Sequence, residues 1–485
     1  MKKIGLLLFS LVLGAITLQS CEDQDDNAVP VNDFIWKGLN LYYLYQENIP
    51  NLADGRFSNQ GQLNAFLETY QNPEELFESL IYREDASGNP VDRWSVLFSD
   101  FLVLENALQG VSKSTGAEFG LVYVPGSTTD IFGYVRYIMP GSDAAGKDIQ
   151  RGDIFYAVNG TPLNVNNYQS LLSQDNYTLN FADYNNGTLT PNGHDVSLTR
   201  TEYSENPVYI ANTYTSGSHK IGYLMYNGFY SNYDTQLNAA FGEFAAAGVT
   251  DLVLDLRYNG GGSVRTATYL ASMITGQFNG QLFAKEQWND KLQAYYEDNS
   301  PEALENKFAN QLANGTAINS LNLNKVYILA TGSTASASEL VINCLKPYID
   351  VTVIGSTTVG KNVGSVTLYD SPDFTASHRS GSHRYAMQPI VLRVLNKNNF
   401  GNYSNGIEPD AGQNEDFGNL GVLGNPAEPL YAKAISLITG GGRHAPDDAP
   451  ALRLFKDSKN MKRFGNEMYV EGLPGGSTGL IKDLQ

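Results

Sequence analysis

Between Thr334 and Lys361 the chain reads TASASELVINCLKPYIDVTVIGSTTVGK, with Ser336 opening a helix-like run and Lys361, 25 positions on, following a strand-like one. A serine hydroxyl is a poor nucleophile near neutral pH and needs a neighbour to take its proton. A lysine does this only as the uncharged amine, which burial favours. The apolar run 351–354 and the flanking Val359 and Val363 offer such surroundings. The pair is therefore expected to be a Ser nucleophile with a Lys base. The same residues admit a second reading, because Ser336-x-x-Glu339 ahead of Leu340, Val341 and Ile342 is a capping box. The two are compatible, since a helix start leaves backbone N–H groups free to stabilise an oxyanion.

The element that must face this pair is DLVLDLRYNGGGSVRTATYLASMITG, residues 251–276. Leu252, Val253, Leu254 and Leu256 form a buried-strand run, the glycines interrupt it, and residues 264–274 have helical apolar spacing. No G-x-G-x-x-G and no Gly-Lys-Ser/Thr is present, which argues against a nucleotide cradle. The glycines instead allow backbone N–H groups to approach a substrate closely. Gly261 is the expected half of an oxyanion hole, and Ala337 the other. Further strands are expected at 326–329, 351–354 and 390–395, alternating with helices at about 336–346 and 428–438, the pattern of an α/β core. Residues 277–320, rich in Asn, Gln and Ala, are expected to form a helical insertion walling a cleft.

TASASE, a lysine 25 residues later within V-G-K, the DLRxNxGG element and GIEPD at 406–410 together resemble the carboxyl-terminal processing, or tail-specific, protease family. The resemblance implies an α/β fold: a crotonase/ClpP-like protease core with an inserted or preceding β-rich PDZ domain and a small N-terminal helical domain. It implies Ser336 as nucleophile, Lys361 as general base, and Gly261 and Ala337 as oxyanion donors. Family members often carry Gln four positions after the lysine; here Ser365 stands there and becomes the candidate for orienting the base.

The PDZ part is sought between about 108 and 203. Phe119-Gly120-Leu121, after Glu118, has the apolar-Gly-apolar form of a carboxylate-binding loop, whose amides hold a peptide C-terminus while the next strand pairs with it. PGSDAAG at 140–146, QRGDI at 150–154 and AVNG at 157–160 are similar to the turns and strands of bacterial PDZ domains. The competing reading is a small β-rich domain that only packs on the core.

At the other end, Met1-Lys2-Lys3, an apolar run from Ile4 to Leu18 and then Ser20-Cys21 form a secretory signal. Leu18-Gln19-Ser20-Cys21 resembles a lipoprotein box, which implies cleavage before Cys21 and lipid attachment to it. The following Glu22-Asp23-Gln24-Asp25-Asp26 reads as a solvated spacer, and also resembles the surface-export signal of Bacteroidetes lipoproteins. The expected location is the outer membrane, as a lipoprotein facing the periplasm or the surface.

The expected divisions are a signal peptide (1–20), an acidic linker after the anchor (21–30), an N-terminal helical domain (31–105), a PDZ-like domain (106–203), a protease core (204–440) and a polar C-terminal tail (441–485) that is loosely packed. With 42% hydrophobic and 17% charged residues among 485, the chain can bury a sizeable core. Its net charge of −19 argues against a nucleic-acid partner. Cys344, in a helix-like run, is expected to be a buried small hydrophobe. Gly475-Gly476-Ser477-Thr478-Gly479 matches G-x-S-x-G, but no His follows it. The five histidines form no metal motif, and no cofactor or metal is expected.

The sequence thus points to a membrane-anchored serine endopeptidase acting on unfolded or C-terminally tagged proteins. Its rival is a catalytically weak or inactive PDZ scaffold that binds peptides without cutting them. A glycan-binding lipoprotein, prompted by 30 tyrosines, accounts for none of the core motifs.

Overall fold

The computed structural model describes residues 30–185, 187–441, 452–461 and 464–473. The signal and lipoprotein readings around Cys21, and the G-x-S-x-G match at 475–479, lie outside these.

The centre is a six-stranded sheet in which His219–Tyr226, Asp251–Asp255, Lys325–Ala330 and Asp350–Gly355 run parallel, with Val208–Ser216 as an antiparallel edge. Both faces are covered, which is why 252–254 is an unbroken apolar run rather than an alternating one. On one face Leu224, Leu252, Leu254, Ile328 and Val353 pack with the helices Asp234–Ala247, Val264–Thr275 and Ala337–Leu345. On the other, Tyr223, Met225, Val253 and Leu329 pack with Leu430, Tyr431 and Ala434 of the helix Pro429–Ile438. Cys344 is fully buried and unpaired, and burial pushes its thiol up.

A second six-stranded sheet contains Ile390–Asn396, paired with Leu282–Trp288 and Val363–Ser365. The expected helical insertion at 277–320 is thus partly β: Leu282–Trp288 and Glu305–Lys307 join this sheet, and only Asp290–Asn299 is α-helical. Its side chains Phe283, Ala284 and Trp288 are buried, whereas local composition alone had favoured helix.

The N-terminal helices Pro30–Tyr42, Gln60–Leu67 and Pro73–Ser79 share one apolar core with both sheets. Asn289 Nδ2 donates to the carbonyls of Leu41 and Tyr43, and Leu44 N–H to Ile390 O, so the helices are fastened to the second sheet. Residues 117–199 form an antiparallel unit, Ala117–Tyr123, Ile131–Ile138, Ile154–Val158, Asn176–Asn185 and Thr188–Thr199 in that spatial order, with its own core and the short helix Tyr168–Leu172.

For its described residues, 452–461 and 464–473, the expectation of a loosely packed C-terminal tail fails. Leu454–Asp457 adds antiparallel to the outer edge of Ala117–Tyr123. Met468–Tyr469 runs parallel to Gly262–Ser263, between it and Val363–Ser365. Met468 is fully buried. Polar composition misled here because much of this segment's energy comes from backbone pairing, to which side-chain polarity is a poor guide.

Candidate active site

Ser336 caps the helix Ala337–Leu345 with φ 65° and ψ −117°. A positive φ on a non-glycine residue is costly, and such strain persists only where the surrounding structure holds it. Ser336 is fully buried and its Oγ has no hydrogen-bond partner. The other half of the capping box is firmly made: the Glu339 carboxylate accepts from Ser336 N–H at 2.7 Å. The same carboxylate accepts from Gly360 N–H at 2.6 Å, Lys361 N–H at 2.8 Å and the Thr358 hydroxyl. One buried acid therefore ties the serine turn to the lysine loop. Burial pushes its pKa up, against the pull of these donors. The sequence signal for Glu339 was present, but as a helix cap only.

The lysine is fully buried, in surroundings less apolar than its neighbours in sequence. Lys361 Nζ donates to Asn466 O at 2.6 Å and pairs with Glu467 Oε2 at 2.9 Å. It lies 5.0 Å from the centroid of the Trp94 ring, which the N-terminal region supplies. In sequence, Trp94 falls within the expected N-terminal helical domain (31–105), with nothing to mark it as a neighbour of the lysine. Trp94 is held in turn by Asp92, whose carboxylate accepts from the N–H groups of Trp94 and Ser95, both at 2.9 Å. Ser336 and Lys361 are thus joined through the Glu339 carboxylate, without being hydrogen bonded to each other by their side chains.

The glycine turn packs directly on Ser336. Gly261 has φ +108°, and a β-carbon there would stand 2.6 Å from Ser336 Cβ and 2.9 Å from Ala337 N, so only glycine fits. Its own N–H, expected to face a substrate, is instead taken by Asn259 Oδ1 at 2.8 Å. The amide offered to a carbonyl is that of Gly262, which donates to Glu467 O. Asn259 also fixes the turn to the serine segment, through Ala335 N–H on its carbonyl at 3.0 Å and Ser338 Oγ at 3.1 Å. The charged part of DLRYN serves the scaffold: buried Arg257 pairs with Asp255 at 2.8 Å and Glu428 at 2.6 Å.

Two further expectations change. Ser365 does not reach the lysine: its Oγ accepts from Gln388 Nε2 at 3.1 Å and donates to Met468 O at 3.2 Å. Phe119, Gly120 and Leu121 lie inside a strand rather than a loop, and that strand's free edge is taken by Leu454–Asp457. Phe119 N–H donates to Ser458 Oγ at 3.0 Å.

A model of peptidase family S41 matches residues 220–411, and that of the peptidase S41 N-terminal domain matches residues 30–96, together more than half of the chain. The chain belongs to peptidase family S41. The S41 chain is 27% identical over 270 residues to the chloroplastic C-terminal processing peptidase of Tetradesmus obliquus, covering 51% of this chain and 52% of that one. It is 24% identical over 244 residues to a carboxyl-terminal-processing protease of Picosynechococcus sp., covering 50% and 51%. It therefore spans about half the length of these curated relatives. A crystal structure assigned to the S41 proteases, from Bacteroides fragilis NCTC 9343, superposes with a TM-score of 0.64 at 25% identity, over 84% of this chain and 98% of that one. The matching regions contain Trp94's neighbourhood, the glycine turn, Ser336 and Lys361.

Proposed function

We propose that this chain is a Ser/Lys endopeptidase of the cell envelope that cleaves unfolded or C-terminally tagged polypeptides. The observation that carries the reading is convergence. Lys361 Nζ, the Gly262 amide and the pocket formed by Gly261 against Ser336 and Ala337 all meet one extended stretch of polypeptide, residues 466–468. A groove that holds a chain by its backbone, beside a buried unpartnered hydroxyl, suits peptide-bond hydrolysis better than small-molecule chemistry.

In the proposed reaction Lys361, as the free amine, takes the proton of Ser336 Oγ while that oxygen attacks the scissile carbonyl. The oxyanion is stabilised by the Ala337 amide and by the glycine turn, with Gly262 the better-placed donor while Gly261 remains on Asn259. Collapse expels the new amine terminus, protonated from Lys361, and leaves an acyl-enzyme. Water then attacks, with Lys361 again accepting the proton. Glu339 positions both residues without touching substrate. The unit 117–199 serves in this reading as a PDZ-type docking edge around Phe119, Gly120 and Leu121, where an incoming chain adds as a strand. Lipid attachment at Cys21 would hold the enzyme at the outer membrane.

A second reading, a peptide-holding scaffold, is favoured by one observation: Lys361 is engaged with Glu467 and not with Ser336. The test is incubation of the soluble form, beginning after Cys21, with reduced and alkylated α-lactalbumin, beside Ser336→Ala and Lys361→Ala, with fragments followed by mass spectrometry. Fragments from the parent alone support the peptidase. Substrate bound but intact in all three supports the scaffold.

A further inference from the structure

Residues 452–461 and 464–473 run from the edge strand of the unit 117–199 to the glycine turn. The stretch first adds as a strand to the edge of Ala117–Tyr123. Asp457 then pairs with buried Arg136 at 3.4 Å, and Ser458 exchanges bonds with Phe119, its N–H donating to Phe119 O at 2.9 Å. Lys459 Nζ donates to Asn227 O at 2.7 Å. Beyond it, Asn466 and Glu467 take Lys361, Glu467 O takes the Gly262 amide, and Met468–Tyr469 fills the strand position between Gly262–Ser263 and Val363–Ser365. Val470 N–H completes the ladder on Ser365 O at 3.1 Å.

This is the route an extended polypeptide would need in order to touch both the docking edge and the nucleophile. The stretch also divides two open clefts of about 810 Å³ and 670 Å³. Lys456, Asn466 and Glu467 line the first, and Lys459, Phe464 and Gly465 the second. Phe464 and Gly465 line both.

We propose that this C-terminal segment is a built-in substrate mimic that keeps the groove closed, so that an incoming unfolded chain must displace it from both the edge strand and the glycine turn. The inference rests on the peptidase reading above and adds its regulation. The mimic is held without being cut for a geometric reason. Its own Glu467 and Asn466 engage Lys361 Nζ, so no base faces Ser336 Oγ, and attack on the adjacent carbonyl has no proton acceptor. A substrate lacking an acid at that position offers the lysine only a backbone carbonyl, a weaker hold from which it can turn to the serine.

The test compares the full mature chain, the variant Asp457→Ala/Ser458→Ala/Glu467→Ala, and Ser336→Ala. Hydrogen exchange at 454–457 and 468–470 is followed with and without reduced, alkylated α-lactalbumin, alongside fragment formation. The expected result is strong protection of both stretches in the parent, lost on adding α-lactalbumin, and at least ten-fold higher kcat/KM in the triple variant. A synthetic peptide of residues 452–473 should suppress the gain. Unprotected amides at these positions in the parent overturn the closed groove, whatever the catalysis. Ser336-dependent cleavage that is no faster in a folded triple variant overturns the inhibition and leaves the peptidase intact. Protected amides that α-lactalbumin displaces, with no cleavage by any form, support the mimic and overturn the peptidase.

Discussion

The same C-terminal stretch is received at two places, and they receive it differently. At the edge strand Ala117–Tyr123 it lies antiparallel and is held by backbone pairing, with Ser458 and Asp457 adding side-chain bonds. At the glycine turn it lies parallel, its backbone threaded between two strands, and an acid is bound by the lysine. An antiparallel edge accepts nearly any extended sequence, because the ladder uses groups that every residue has. The glycine turn is more exacting, since the absent β-carbon at 261 sets how close the Glu467 carbonyl can come. The edge is thus suited to capture and the turn to selection.

The largest effect that sharpens this contrast is expected from Ser336→Ala. Turnover should fall at least a thousand-fold in the fragment assay. The melting temperature should move by no more than about 2 °C, because the lost hydroxyl has no partner. Glu339→Ala should differ in kind: it orphans three buried amides and a hydroxyl, and should cost about 3–5 kcal/mol in a urea melt as well as turnover. A stable, inactive Glu339→Ala would show that the acid acts in chemistry rather than in holding the two loops.

Gly262→Ala comes next. At φ +138° the new methyl overlaps the Phe229 carbonyl, so the turn must shift its amide. A loss of about a hundred-fold in kcat/KM is expected, with exchange at 454–457 unchanged. Ser458→Ala acts at the other receiving place. It removes the acceptor of Phe119 N–H, and roughly 1 kcal/mol of docking, seen as about five-fold faster exchange at 454–457. If protection at 468–470 falls in step, the two places form one cooperative latch and the division into capture and selection breaks.

The smallest expected effect is with pH. Burial raises the Glu467 carboxyl to about 7, with Lys361 opposing. The docked segment therefore binds more protons than a free one between the ordinary carboxylate range and about pH 7. Docking is strongest below that window and weakens as pH rises through it. Exchange at 468–470, corrected for its intrinsic rate, should be slower at pH 5 than at pH 7.5.

Much of this arrangement could be read from local pattern. The strand–turn–helix units carrying Gly261 and Ser336, and the lysine behind Asp350–Gly355, follow from periodicity and caps that act within a few residues. What escaped was long-range. The partner of Phe119 is Ser458, 339 positions away, and that of Lys361 is Glu467, 106 away. Neither segment announces the other, since edge pairing leaves no side-chain signature. Trp94 escaped for the same reason, its aromatic face meaning nothing until Lys361 lies beneath it. That the Gly261 amide is engaged while the Gly262 amide meets the Glu467 carbonyl turns on a single side-chain bond, from Asn259, that spacing does not reveal.

The distance of 106 residues between Lys361 and Glu467 also sets a clock. At ordinary synthesis rates, Lys361 emerges roughly 5–20 s before the acid that pairs with it. For that interval the nascent chain carries the lysine without its partner, so this pairing forms only after both flanking strands, Gly262–Ser263 and Val363–Ser365, have been made.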